Sequence, residues 1–128
     1  MQSAILWYNT FKNCLEKTGF KMNPHDPCVV NMEIKGKQCT ICWYIDNMKI
    51  SHVDYQVVND IISKIEDDFG KRIVIRGKVR KFVEMDIHFK DNKTVEITMV
   101  DYITEYFEVF GEPLKKEQIL RLNMIYLR

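Results

Sequence analysis

Between Cys28 and His52, three runs rich in β-branched and aromatic residues follow one another with only two or three turn residues between them. Lys35-Gly36-Lys37 divides Cys28 to Ile34 from Gln38 to Ile45, and Asp46-Asn47 divides the latter from Met48 to His52. A parallel crossover needs about a dozen residues, so connections this short force the strands to lie antiparallel. The outcome is a three-strand meander with an acidic group at the tip of its second hairpin.

Helical patterns flank the meander. From Gln2 to Thr18 the large side chains fall at Ala4, Trp7, Tyr8, Phe11, Cys14, Leu15 and Thr18, the spacing of one helical face, and Gly19 is placed to end it. Asn23-Pro24-His25-Asp26-Pro27 is turn chemistry whose two prolines argue against a regular element. Asp54 is positioned to cap a second helix, with Val57, Val58, Ile61, Ile62, Ile65 and Phe69 in a single stripe ending at Gly70. Its other face, with Asn59, Asp60, Lys64, Glu66, Asp67 and Asp68, reads as solvated. Strands are then predicted at Arg72 to Ile75, Lys78 to Phe89 and Thr94 to Val100, with a polar turn at Lys90 to Lys93. Asp101 is the expected N-cap of a helix from Tyr102 to Phe110, closed by Gly111 and Pro113. The apolar spacing from Leu114 to Arg128 is irregular and supports no assignment. Together these elements predict an α+β fold, an antiparallel sheet with helices packed on one face.

With 128 residues the chain has the length of one domain, and 19 basic against 18 acidic side chains leave a net charge that singles out no partner. The opening residues lack the basic region of a secretory signal, and no apolar run approaches a membrane span. Without an export signal the four cysteines are expected as reduced thiols and the chain as intracellular, in a cytoplasmic particle or the nucleus. Cys39 and Cys42 have the spacing of a zinc pair, yet in a strand an odd offset sends them to opposite faces. The histidines at 25, 52 and 88 stand apart in sequence.

Taken alone, Asp46-Asn47 is ordinary hairpin chemistry, because both residues tolerate positive φ and bond their own backbone. Its company changes the weighting. Tyr44-Ile45-Asp46-Asn47 resembles the hairpin motif of copia-type retrotransposon reverse transcriptases, an aromatic residue, a hydrophobic residue and two aspartates, with asparagine in the second acidic place. "QSAILWY" (Gln2 to Tyr8) resembles the helix motif of that family, and "DPCVV" (Asp26 to Val30) its Asp-Pro-Cys strand entry. "KFVEMDIHF" (Lys81 to Phe89) resembles the later segment that supports the primer end, with Glu84 where the family usually has glycine. The likeness covers residues 2 to about 110; 111–128 stay unassigned.

The resemblance implies an incomplete palm-type sheet running into the start of a thumb, residues 1–110. It implies RNA-directed DNA synthesis with Mg2+ or Mn2+, on an RNA/DNA template-primer duplex with deoxynucleotides and no membrane. Asp46 would be the metal-binding catalytic carboxylate and Asn47 a degenerate catalytic position that offers a carbonyl oxygen without charge. Tyr44 and Lys49 would approach the primer, and so would Arg76, Lys78, Arg80 and Lys81 together with Phe82, Val83, Glu84 and Met85. In the family the other essential aspartate lies on a strand before the opening helix. One carboxylate cannot organise two ions, so the chain alone is expected not to polymerise. A sheet lacking that strand is expected to self-associate through its uncovered edge. The alternative is a non-catalytic remnant that binds nucleic acid or protein.

"GKRIVIRGKVRK" (Gly70 to Lys81) also bears on nucleic acid independently of the resemblance. It places Lys71, Arg72, Arg76, Lys78, Arg80 and Lys81 among apolar residues with no acid, so a strand with an exposed basic side could follow a phosphate backbone. The competing reading is an edge strand kept from aggregating by its charge.

Overall fold

The computed structural model describes residues 2–111 and 125–127. Contacts gather into two compact units, residues 1–73 and 74–128. The chain is α+β, with two antiparallel sheets and three helices among the described residues, where a single sheet was expected.

The first unit opens with α1 (Gln2–Lys17), which ends where the sequence placed its stop. Gly19 adopts φ +99°, its N–H returns to the Glu16 carbonyl at 3.0 Å, and a Cβ there would lie 3.2 Å from the Met32 sulfur. Positive φ and a close neighbour both favour glycine at this position. A four-stranded meander follows: β1 (Lys21–Asn23), β2 (Asp26–Ile34), β3 (Lys37–Tyr44) and β4 (Asn47–Ser51), in that spatial order.

β1 corrects the expectation that the two prolines exclude regular structure. Asn23 pairs with Asp26 across a Pro24-His25 turn, and Pro27 stands near the start of β2, where a strand tolerates a missing donor. Asn23 Oδ1 accepts from the His25 N–H and Asp26 Oδ1 from the Cys28 N–H, so the turn's polar side chains stabilise its own backbone.

Strand alternation separates two faces. Val30, Cys39, Ile41 and Trp43 are buried on one side, and Phe11 and Leu15 of α1 meet them together with Val57, Ile61 and Ile65 of α2 (Tyr55–Phe69). Phe11 sits between the layers, edge-on to Trp43 at 5.3 Å and to Phe69 at 5.5 Å. Both helices therefore cover the same face of this sheet, as the patterning predicted. Burying side chains such as Phe11 and Leu15 contributes about 1.5–3 kcal/mol each. α2 is capped as expected: Asp54 accepts from the Gln56 N–H, and Gly70 returns its N–H to the Glu66 carbonyl.

The second unit holds β5 (Val79–Phe82), β6 (Met85–Phe89), β7 (Val95–Thr98), α3 (Val100–Val109) and β8 (Ile125–Leu127), its strands paired in sequence order. Three expectations are corrected here. Arg72 to Ile75 forms no strand; the backbone is irregular from Gly70 to Lys78. Lys78 to Phe89 is a hairpin turning at Val83-Glu84, both at positive φ, a turn that residues of poor turn chemistry hid. α3 begins after Met99, which gives no side-chain cap, and Asp101 lies inside its first turn, where a carboxylate still favours the positive helix end. Pro113 and most of the segment from Leu114 onward lie outside the described residues, apart from the backbone of β8.

Candidate functional site

The hairpin β3–β4 positions the candidate carboxylate. Tyr44 pairs with Asn47, so the two-residue loop is Ile45-Asp46 and Asn47 is the first strand residue, one position later than the sequence suggested. Ile45 takes φ +51° while Asp46 does not, the pattern of a II′ turn, which normally has glycine at that first position. A β-branched residue at positive φ is strained, so the tip beside Asp46 is held by the pairing on either side and not by local preference. Tyr44, Ile45, Asp46 and Asn47 are all exposed.

Tyr44 and Asn47 share the face of the sheet that the helices leave open. Cys42 and Lys49 form the next pair on that face, then Thr40 with Ser51. Lys49 donates to the Ser51 hydroxyl at 2.8 Å. Gln38 donates to Asn31 and Thr40, and Thr40 to Asn31, in a cross-strand network of amides and hydroxyls. Two expected contact residues, Tyr44 and Lys49, are thus on one surface with Asn47, and no residue of that face is buried. Asn31, Gln38, Thr40 and Ser51 were missed in the sequence reading. The signal was present: Gln38, Thr40 and Tyr44 bring polar groups to alternate positions of β3 while Cys39, Ile41 and Trp43 are the core face.

The remaining candidates lie in the second unit and do not share one side. Arg76 is in the irregular segment. Lys78 pairs with Asp91, and Arg80 lies over the Phe89 ring at 4.8 Å while its Nε donates to the Gly77 carbonyl at 3.0 Å. By register Arg80 shares a face with buried Ile87, whereas Lys81 points to the opposite face with Asp86. The expected strand with one exposed basic side therefore does not form. Phe82 and Met85 flank the turn of this hairpin, and Val83 and Glu84, at φ +49° and +60°, make it.

Among the described residues no group of three or more His, Cys, Asp or Glu is placed to hold a metal ion. Asp46 with the neutral Asn47 beside it does not fit a two-ion centre, which needs several carboxylates converging. The thiols offer no substitute. Cys39 is buried in the core and Cys42 is on the open face, its Sγ 3.8 Å from the Lys49 carbonyl, as the odd offset required. Burial pushes all four thiols up from their ordinary value, Cys14 to about 11 with help from its 3.1 Å hydrogen bond to Asp68. His52 is structural: its Nδ1 accepts the Asp54 N–H at 3.0 Å, which leaves Nε2–H to donate to the Ile34 carbonyl at 3.2 Å. No described helix is long and apolar enough to cross a membrane.

No family model matches the chain, and no solved structure matches it. It is 26% identical over 119 residues, 88% of its length, to the Gag-Pol polyproteins of the transposons Ty1-DR5 and Ty1-LR2 of Saccharomyces cerevisiae. The chain spans 7% of the length of those polyproteins. This similarity supports a Ty1/copia-type retrotransposon origin for the chain.

Proposed function

We propose that the chain is part of a copia-type reverse transcriptase, its palm and the start of its thumb, and that it binds template-primer without polymerising on its own. The observation that carries the reading is the β3–β4 hairpin, which holds Asp46 exposed on a strained two-residue tip, with Tyr44 and Asn47 beside it on an open sheet face. The similarity to Ty1 Gag-Pol polyproteins supports the same reading. In the whole enzyme, Mg2+ or Mn2+ would supply activation of the primer hydroxyl and stabilisation of the leaving pyrophosphate. In this chain Asp46 supplies one carboxylate, and Asn47 an amide that can orient a water but adds no charge. Tyr44 and Lys49 would meet the primer strand, and the β5–β6 hairpin, Phe82 to Met85, would support its end.

The disagreement between this donor set and a two-ion centre favours the second reading, a palm remnant that binds nucleic acid without chemistry. Two measurements on the purified chain test both. A template-primer extension assay with Mg2+ or Mn2+ is expected to give no incorporation; incorporation abolished by Asp46→Ala would restore the enzyme. Fluorescence anisotropy with a labelled RNA/DNA duplex is expected to show binding weakened by Lys49→Ala and by rising salt. Absence of any salt-sensitive binding would remove nucleic acid from both readings.

A further inference from the structure

Two stretches that are competent to form β-structure lack a strand partner among the described residues. The first is the outer side of β4, the terminal strand of its sheet. Because Tyr44 and Asn47 flank a two-residue loop, they exchange hydrogen bonds with each other, and alternation then turns the N–H and C=O groups of Met48 and Ile50 away from β3. Their side chains pack against the core cluster without being buried. Ile45 and Val53, at the two ends of the strand, are 64% and 78% exposed. The second stretch is Ile73-Val74-Ile75, three β-branched residues in succession that are 96%, 41% and 61% exposed on backbone belonging to no helix or strand. Such a run has high strand propensity and no edge to satisfy it.

The two stretches are complementary. Set antiparallel, Ile73 opposite Ile50 and Ile75 opposite Met48 place four apolar side chains on the helix-covered side of the sheet, with backbone groups facing their counterparts. Val74 then faces Lys49, and Arg72 and Arg76 face Ser51 and Asn47, so no charge meets its like. Pairing β4 with another β4 in the register that opposes Met48 to Ile50 would instead set Lys49 directly against Lys49, which is unfavourable. We propose that β4 of one copy takes up Ile73–Ile75 of a second copy as an added antiparallel strand. This pairing is independent of the nucleic-acid reading.

Sedimentation velocity of the full chain over its accessible concentration range, combined with amide hydrogen exchange, tests the pairing. Concentration-dependent self-association, with the Met48 and Ile50 amides protected in the assembled species, is the expected result. A closed dimer or a longer head-to-tail series would each carry the same contact. Ile75→Pro removes an amide aimed at β4, and Ile73→Lys puts a charge on the apolar side. Both positions are exposed and outside every element, so circular dichroism should be unchanged while association is lost. A chain that stays monomeric at every concentration overturns the proposal. So does an assembly that survives Ile75→Pro or leaves the Met48 and Ile50 amides unprotected.

Discussion

Val83 and Glu84 both occupy the left-handed region at the tip of β5–β6, where a non-glycine residue costs about 1–2 kcal/mol. Glycine at position 84 would have space and no strain, which gives a physical reason for the glycine that copia-type sequences usually carry there. Glu84→Gly is therefore expected to stabilise the hairpin by about 1 kcal/mol, read as a higher urea midpoint with an unchanged slope. A midpoint that falls would show that Glu84 makes a contact worth more than its strain. Cys14 offers a second test at this scale. Its thiol, normally near 9.0, is raised to about 11 by burial and by donating to Asp68. Because the folded value is the higher one, this thiol contributes stability below pH 9 that is lost as pH rises through 11. Alkylation of folded chain by iodoacetamide should be slow at Cys14 at pH 8 and faster in Asp68→Asn, which weakens the acceptor. Equal rates in the two proteins would mean that burial alone protects the sulfur. Trp43 has the opposite problem, a buried indole N–H without an acceptor among the described residues. That lost hydrogen bond offsets part of its packing, so Trp43→Phe should cost little for so large a residue, about 1 kcal/mol, by the same urea assay.

Among the elements, α2 shows how a local sequence signal becomes a tertiary joint. Asp54 caps the helix and also pairs with Lys35 Nζ at 2.8 Å, tying the β2–β3 turn to the helix start. Lys35, by its hydrogen bond first and its charge after, together with the capped N–H groups, holds the Asp54 carboxyl below its usual range. The folded value is depressed, so its contribution is present above the ordinary carboxylate range and lost as pH falls through the lowered one. Asp54→Ala should fray the first turn of α2 at neutral pH, seen as faster exchange of the Gln56 and Val57 amides. Asp54→Asn should keep the cap and lose only the coupling to Lys35, and identical fraying in both would assign the whole effect to the ion pair. Such caps and stripes were legible because they are local: α1, α2 and β2 to β4 follow from spacing alone. What escaped was set by strand pairing. β1 exists because Lys21 and Met22 find Asn31 and Val30, and the Val83-Glu84 turn because Phe82 finds Met85, partners that no residue count reveals. Arg72 to Ile75 has every local mark of a strand and stays irregular, since β-propensity needs an edge to act on. At the site the position of Asp46 was legible to within one residue, while the open face behind it, signalled along β3 by alternation, gained Asn31 and Ser51 only once register was known.

For the whole molecule, the question is how strongly a chain of net charge +1 can hold a polyanion. Global charge gives no steering, so binding must come from local cations, and four of the six in Gly70 to Lys81 are already engaged. The Arg72 guanidinium donates to the Phe69 carbonyl at 3.3 Å, and Arg76 also has a partner. Lys78 is paired with Asp91, and Arg80 is directed at Phe89 and the Gly77 carbonyl. Each phosphate neutralised contributes about −0.9 to the slope of log affinity against log salt, so six free cations would give about −5. With those four engaged, Lys71, Lys81 and Lys49, the last bonded to a hydroxyl it can release, are left to meet phosphates, and a slope nearer −3 is expected for an RNA/DNA duplex. Asp91→Ala, by releasing Lys78, should steepen that slope by about 1 and raise affinity at low salt. If the slope of Asp91→Ala equals that of the parent, the β5–β6 hairpin lies away from the duplex. Contact would then rest on the open face of the first unit, with Tyr44 and Lys49.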